Sequence, residues 1–235
     1  MSDTLKKVAI CCPCGEKAFH SFAEQIGHVQ KGLQQLGVEN IFYRIPGCSM
    51  LELARSSLAG YGMRSGADVL FWVDDDMTYK PEDAIRLCQE AFAHQTLVGA
   101  VASQRTVRGK MNIKLAHDPP YSMTMFDGGG LVEVVVVGFG MVAVSREVFA
   151  RVGESLPDVH DLEEGMTKPY FKTAISDDGW WFGEDTSFCQ RARAAGFKLY
   201  IDTTVRVGHK GVYEYQIEDT IGAVPRHESL PLHFV

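Results

Sequence analysis

The sequence predicts an α/β protein: a single Rossmann-like layered domain with a mostly parallel central sheet and helices on both faces. Strand-like and helix-like patterns alternate along the chain without an internal repeat, a low-complexity tract or an obvious linker. The run Val69-Leu70-Phe71-Trp72-Val73 is apolar at five consecutive positions, as a strand covered on both faces must be. It ends in Asp74-Asp75-Asp76, which places three carboxylates where the ligands of open α/β sheets bind, beyond the carboxyl end of a strand.

Taken in order, residues 8–12 read as the first strand. A helix over 20–36 follows, with Phe22, Ile26, Val29, Leu33 and Leu36 at three- and four-residue spacing and Gly37 as its stop. Residues 40–45 form the next strand, and Ser49 or a neighbour can cap a second helix through Leu51, Leu53, Ala54 and Leu58. After the strand at 69–73, residues 74–80 read as a strand-to-helix loop. Pro81 suits a first helical turn, with Glu82 and Asp83 at the positive end of the dipole and Ala84, Leu87, Cys88 and Ala91 as the apolar stripe. Strands are expected at 97–102, 111–115 and 132–137. From about Gly138 the pattern loosens into aromatic and Gly-rich loops. A helix opened by Glu184 and Asp185 and stopped by Gly196 restores it, followed by a strand at 198–201.

Composition bounds the function. The chain has 235 residues, 46% hydrophobic and 23% charged, enough for one substantial core. A net charge of −7 excludes a protein that simply coats nucleic acid and leaves a local basic groove open. The first residues carry no signal-peptide pattern, and no run approaches the roughly 18 apolar residues of a membrane span. Six cysteines without paired CxxC spacing fit a reducing compartment, so a cytoplasmic protein is expected. Cys11, Cys12 and Cys14 lack the fourth ligand and spacing of a structural zinc site.

Adjacent carboxylates repel and raise one another's pKa unless a cation lies between them. For Asp74, Asp75 and Asp76 a hard divalent ion such as Mg²⁺ or Mn²⁺ is the natural neutraliser, with an acidic helix-capping turn as the plainer alternative. A second constellation, Trp180-Trp181-Phe182-Gly183-Glu184-Asp185, sets an aromatic platform beside two acids, either of which could act as a general base or merely begin a helix. His209 lies between glycines at Gly208-His209-Lys210-Gly211 and is open to metal ligation. The segment 104–114 holds four cations and no acid, an anion-facing loop or a solvated basic turn. The acidic stretch 158–167 reads as a solvated loop or lid.

In this order, the strand ending in Val-Asp-Asp-Asp, a Gly-Phe-Gly segment followed by Met-Val-Ala-Val-Ser-Arg-Glu-Val-Phe, then Trp-Phe-Gly-Glu-Asp-Thr-Ser-Phe-Cys, Gly-Phe-Lys-Leu-Tyr-Ile-Asp and Gly-His-Lys-Gly resemble the GT-A-fold, family-2-like glycosyltransferases. The resemblance spans residues 6–212. It implies a glycosyltransferase domain over 1–212, with a donor half of about 1–115 and an acceptor half of about 116–212, and a tail at 213–235. The implied reaction moves a sugar from a nucleotide-diphosphate sugar, a UDP-sugar as leading candidate, to an acceptor hydroxyl with a divalent metal and inversion.

By the same resemblance Asp74, Asp76 and His209 are metal ligands. Asp185 is the base with Glu184 as competitor, and Asp75, Gly138, Gly140 and Trp181 border the donor. Cys12, Glu16 and Arg55 are nucleotide contacts; apart from the resemblance, the charge of the basic segment lets Arg105 and Lys110 face donor phosphates, an anionic sugar or a nucleic-acid backbone. The cysteines leaving the first strand depart from the family's usual small polar residues. The acceptor stays open among saccharide, lipid-linked, protein and nucleic-acid hydroxyls, with a leaning toward an anionic one. A nucleotidyltransferase of similar fold and a non-catalytic nucleotide-sugar or glycan-binding module are the other readings.

Overall fold

The structure is a computed structural model that describes residues 4–15, 20–103, 111–116, 121–211, 217 and 229–234. Glu16, Arg105 and Lys110 lie outside the described residues. Strand β1 (Lys7–Cys14) is followed by α1 (His20–Gln35), β2 (Glu39–Pro46), α2 (Leu51–Arg64) and β3 (Val69–Val73). Next come β4 (Met77–Tyr79), α3 (Pro81–His94), β5 (Leu97–Gly99), β6 (Ile113–Leu115), β7 (Tyr121–Phe126), β8 (Leu131–Val137), β9 (Met141–Ser145) and α4 (Arg146–Gly153). Two short hairpins, β10 (Val159–His160) with β11 (Met166–Thr167) and β12 (Ala174–Ile175) with β13 (Trp181–Phe182), precede α5 (Glu184–Ala194). The chain continues through β14 (Leu199–Asp202), β15 (Val207–His209) and β16 (Ser229–Phe234), the last paired antiparallel with β7.

The central sheet has eight strands in the order β2-β1-β3-β9-β5-β14-β8-β6. The pairings orient six of them alike and reverse β9 and β8, which gives the mostly parallel α/β sheet expected from the alternation. Period-two side chains of β3 split the core into two layers. Leu70 and Trp72 pack with Leu58 of α2, Phe149 of α4 and Phe188 of α5. Val69, Phe71 and Val73 pack with Val29 and Leu33 of α1 and Leu87 of α3. Helices thus cover both faces, and β3 is buried at all five positions.

Three differences from the sequence reading position the site. Strand β9 is inserted antiparallel between β3 and β5, although residues beyond Gly138 read as irregular; the apolar run Met141-Val142-Ala143-Val144 occupies a fully buried central strand. The expected loop 74–80 contains β4, whose antiparallel pairing with β15 sets His209 opposite Met77. The expected solvated stretch 158–167 is a hairpin strapped onto α2. Its Asp161 carboxylate is fully buried, accepting the Glu163 N–H at 2.8 Å, the Gly165 N–H at 2.9 Å and Arg64 Nη2 at 2.6 Å. Thr167 Oγ1 donates to the Ser56 carbonyl at 2.7 Å, and Gly60 is bare where a Cβ would lie 2.7 Å from Thr167. The first position of α2 is capped by Met50 without a side-chain hydrogen bond.

On the far face Glu90 of α3 is pushed up to about 7, first by burial and then by Asp202, against the pull of Arg86. Its Oε2 is buried without a hydrogen-bond partner among the described residues. A carboxyl raised by the fold favours the native state below its unfolded pKa and loses that contribution as pH rises through the folded one. Glu90→Gln is therefore expected to stabilise the protein at pH 8, by on the order of 1 kcal/mol, and to give no gain at pH 4. Urea unfolding at the two pH values checks this; an equal effect at both contradicts it.

Candidate active site

The two acidic constellations meet at the carboxyl ends of the strands, and a buried arginine joins them. Arg55 of α2 is 2% exposed, and the 158–173 segment lies against neighbouring residues of that helix. The Phe171 N–H donates to Ser56 Oγ at 3.2 Å and the Thr173 N–H to Glu52 Oε2 at 2.8 Å. Arg55 Nη2 lies 3.3 Å from Asp74 Oδ1, and Nη1 contacts Glu184 Oε1 at 3.1 Å and Asp185 Oδ1. Its guanidinium also sits 5.6 Å from the centre of the Phe139 ring. Burial opposes the charge of Arg55, and Asp185, Asp74 and Glu184 more than offset that effect. The cation that reconciles these carboxylates is thus a side chain of the protein.

Asp185 is held at both oxygens, since the Phe139 N–H donates to Oδ2 at 3.0 Å. Phe139 is fixed by an aromatic cluster: ring centres lie 5.9 Å from Trp72, 5.0 Å from Phe171 and 5.2 Å from Phe188, while Phe171 and Phe188 stack at 4.7 Å. Gly138 and Gly140 flank it because the backbone passes close to Asn112 and Met77; a Cβ would fall 3.0 Å from Asn112 Nδ2 and 3.2 Å from Met77 Sδ. The Asp74 N–H donates to the Gly140 carbonyl at 3.0 Å, so the same loop ties β3 to α5. Burial, then Asp185 and Asp76, push the Asp74 carboxyl up to about 6 against the pull of Arg55. Glu184 is raised too, by burial and then by Asp185.

Asp76 and His209 form the other side. Nε2 of His209 is 3.3 Å from Asp76 Oδ2, and its Nδ1 is 3.0 Å from the Ser103 carbonyl. A carbonyl only accepts, so Nδ1 carries the proton in that contact. Nε2 then faces the Asp76 carboxylate, an arrangement that serves a protonated ring as an ion pair and a neutral one as a pair of cation ligands. Asp74, expected in the same ligand set, faces Arg55 instead. No group of three metal-ligating side chains converges among the described residues.

The remaining expected residues are dispersed. Asp75 accepts the Gly15 N–H at 2.9 Å and pins the exit of β1. Cys12 is fully buried under α1 and α3, and Trp181 is 70% exposed on its hairpin. The sequence reading did not single out Asn112, whose amide accepts the Ala102 N–H at 2.8 Å and donates to the Gly138 carbonyl at 3.4 Å. A cleft of about 520 Å³ opens from Asp185 and Gly138 between α5 and the β6–β8 edge; Glu184 does not line it. No described helix is long and apolar enough to cross a membrane.

No protein-family model and no curated protein sequence matches the chain. Among solved structures it is similar to A197 from STIV, with a TM-score of 0.51 and 13% identity over 88% of this chain and 86% of that one. That likeness defines the fold as one shared α/β architecture. Weaker likenesses are to GalNAc-T7 with UDP, GalNAc and Mn²⁺, at TM-score 0.47 and 12% identity over 93% of this chain and 45% of that one, and to the inositol-1-phosphate CTP transferase from T. maritima, at 0.40 and 12% over 92% of each.

Proposed function

We propose that the protein is a metal-dependent glycosyltransferase that moves a sugar from a nucleotide-diphosphate sugar, with UDP-sugars the first candidates, to an acceptor hydroxyl in a single inverting displacement. The observation that carries this reading is the joining of the Asp74 and Glu184-Asp185 constellations through buried Arg55, beside a cleft that Asp185 alone of these acids lines. Residues 1–115 supply the donor side and 116–212 the acceptor side; beyond them the expected tail instead returns to the domain, with Ile217 in the core and β16 paired with β7.

Asp185 takes the proton of the acceptor hydroxyl, whose oxygen bonds to the anomeric carbon as the bond from that carbon to the diphosphate oxygen breaks; the electron pair leaves with the nucleoside diphosphate. Arg55 and the Phe139 N–H aim the Asp185 carboxylate and hold it in one rotamer. Asp76 and His209 would hold the divalent cation, Mn²⁺ or Mg²⁺, which when bound neutralises charge growing on the leaving diphosphate. Trp181 offers its exposed ring to a sugar at the rim.

Release of nucleoside diphosphate from a panel of nucleotide sugars tests the reading. Wild type is expected to turn over one donor class with Mn²⁺ or Mg²⁺ and none with EDTA, and His209→Ala to lower metal activation about 10-fold or more. Turnover undiminished by EDTA and by His209→Ala would remove the metal from the account.

A further inference from the structure

The cleft that opens from Asp185 has a charge character of its own. Thr186, Gln190 and Arg193 recur at four- and three-residue spacing on one face of α5, and Asn112 and Lys114 face them from the strand edge. Several cations of this acidic protein are tied to carboxylates, as Lys7 is to Glu39, Arg64 to Asp161, Lys168 to Asp158 and Lys198 to Glu133. Lys114 and Arg193 are exposed and have no carboxylate partner among the described residues. Among the described residues the one acid lining the cleft is Asp185. Arg193 is eight residues beyond Asp185 on the same helix, about 12 Å along its axis at about 1.5 Å per residue. The half-buried Phe182 ring adds an apolar part to the lining, and the Gln190 amide, between Asp185 and Arg193 on the helix, offers a donor and an acceptor for hydroxyls.

We propose that this cleft takes the acceptor as an anionic saccharide, its carboxylate or phosphate held by Lys114 and Arg193 while a hydroxyl toward the sugar's other end reaches Asp185. The assignment rests on the glycosyltransferase reading for the name acceptor, and on the cleft alone for the ligand's chemistry. Arg193 supplies a planar fork for two anionic oxygens and Lys114 a point charge opposite it. Neither touches the Asp74, Asp76 or Arg55 cluster, so the cations select the acceptor without entering the displacement.

An array of matched neutral, uronate-bearing and phosphorylated oligosaccharides tests this, with wild type and the double variant Lys114→Glu/Arg193→Glu. Wild type should be retained at least 10-fold better on anionic than on neutral members and released by salt. The double variant should lose that preference, while its thermal midpoint and its nucleotide-sugar-induced shift stay those of wild type. Retention on uronates alone or on phosphates alone names the anion. Equal retention on neutral saccharides, no retention on any anionic one, or a preference that survives the charge reversal overturns the proposal. Anionic retention by a wild-type protein whose midpoint no nucleotide sugar moves would sink the transferase reading and leave the cleft's ligand class standing.

Discussion

Asp185→Asn is expected to lower sugar transfer by about 10²–10⁴-fold and to leave donor binding and the fold intact. The amide keeps the shape of the carboxylate but has one accepting oxygen for the two donors that Asp185 serves, Arg55 and the Phe139 N–H, and it has no basic oxygen to receive a proton. Arg55 retains Asp74 and Glu184 as counter-charges, so the cluster stays neutralised. Glu184→Gln is the control. Glu184 contacts the same guanidinium and does not line the cleft, and its substitution should cost turnover much less. Nucleoside diphosphate release with acceptor present, read beside the donor-induced thermal shift of each variant, separates the roles. Equal losses in the two variants, or full turnover in Asp185→Asn, would reject Asp185 as the base.

The second large effect is on stability. Arg55→Met removes the one cation that, among the described residues, faces Asp74, Glu184 and Asp185, and breaking a buried pair on one side leaves uncompensated charge that costs about 3–5 kcal/mol. For a chain of this size that corresponds to a fall in Tm of roughly 6–20 °C. The sign of its pH dependence follows from the carboxyls. Asp74 is already raised to about 6 and Glu184 is raised as well, so both favour the native state when protonated and oppose it once ionised. Without Arg55 that opposition grows, and the deficit should be largest above about pH 7 and shrink toward pH 5. Adding Asp74→Asn to Arg55→Met should recover part of the loss, a coupling expected of groups in contact. A deficit below about 1 kcal/mol, or one independent of pH, would mean that the cluster is solvated rather than held by Arg55.

Much of the fold was legible because it is written locally. The five apolar residues of β3, the three- and four-residue spacing of α1 and the Pro81 start of α3 each declare an element within one short window. Strand β9 was missed because its run follows directly on Gly138-Phe139-Gly140, and a short apolar segment among glycines does not announce that it inserts between β3 and β5. The acids of the site could be nominated from their places at a strand end and a helix start. Their arrangement could not. The contacts of Arg55 with Glu184 and Asp185 span about 130 residues. His209 meets Asp76 through the β4–β15 pairing, and β4 was read as loop. A sequence window carries no signal for pairings made at that distance.

A donor site for nucleotide sugars is read out by a thermal-shift panel of UDP-, GDP-, CDP- and TDP-sugars and free nucleoside triphosphates, each with Mn²⁺, Mg²⁺ or EDTA. A ligand that binds only the folded state raises the midpoint. A glycosyltransferase of this kind should show a rise with one class of nucleotide-diphosphate sugar that EDTA abolishes. A rise with triphosphates alone would contradict it in favour of a nucleotidyltransferase, and no rise with any ligand would contradict a nucleotide-sugar site altogether.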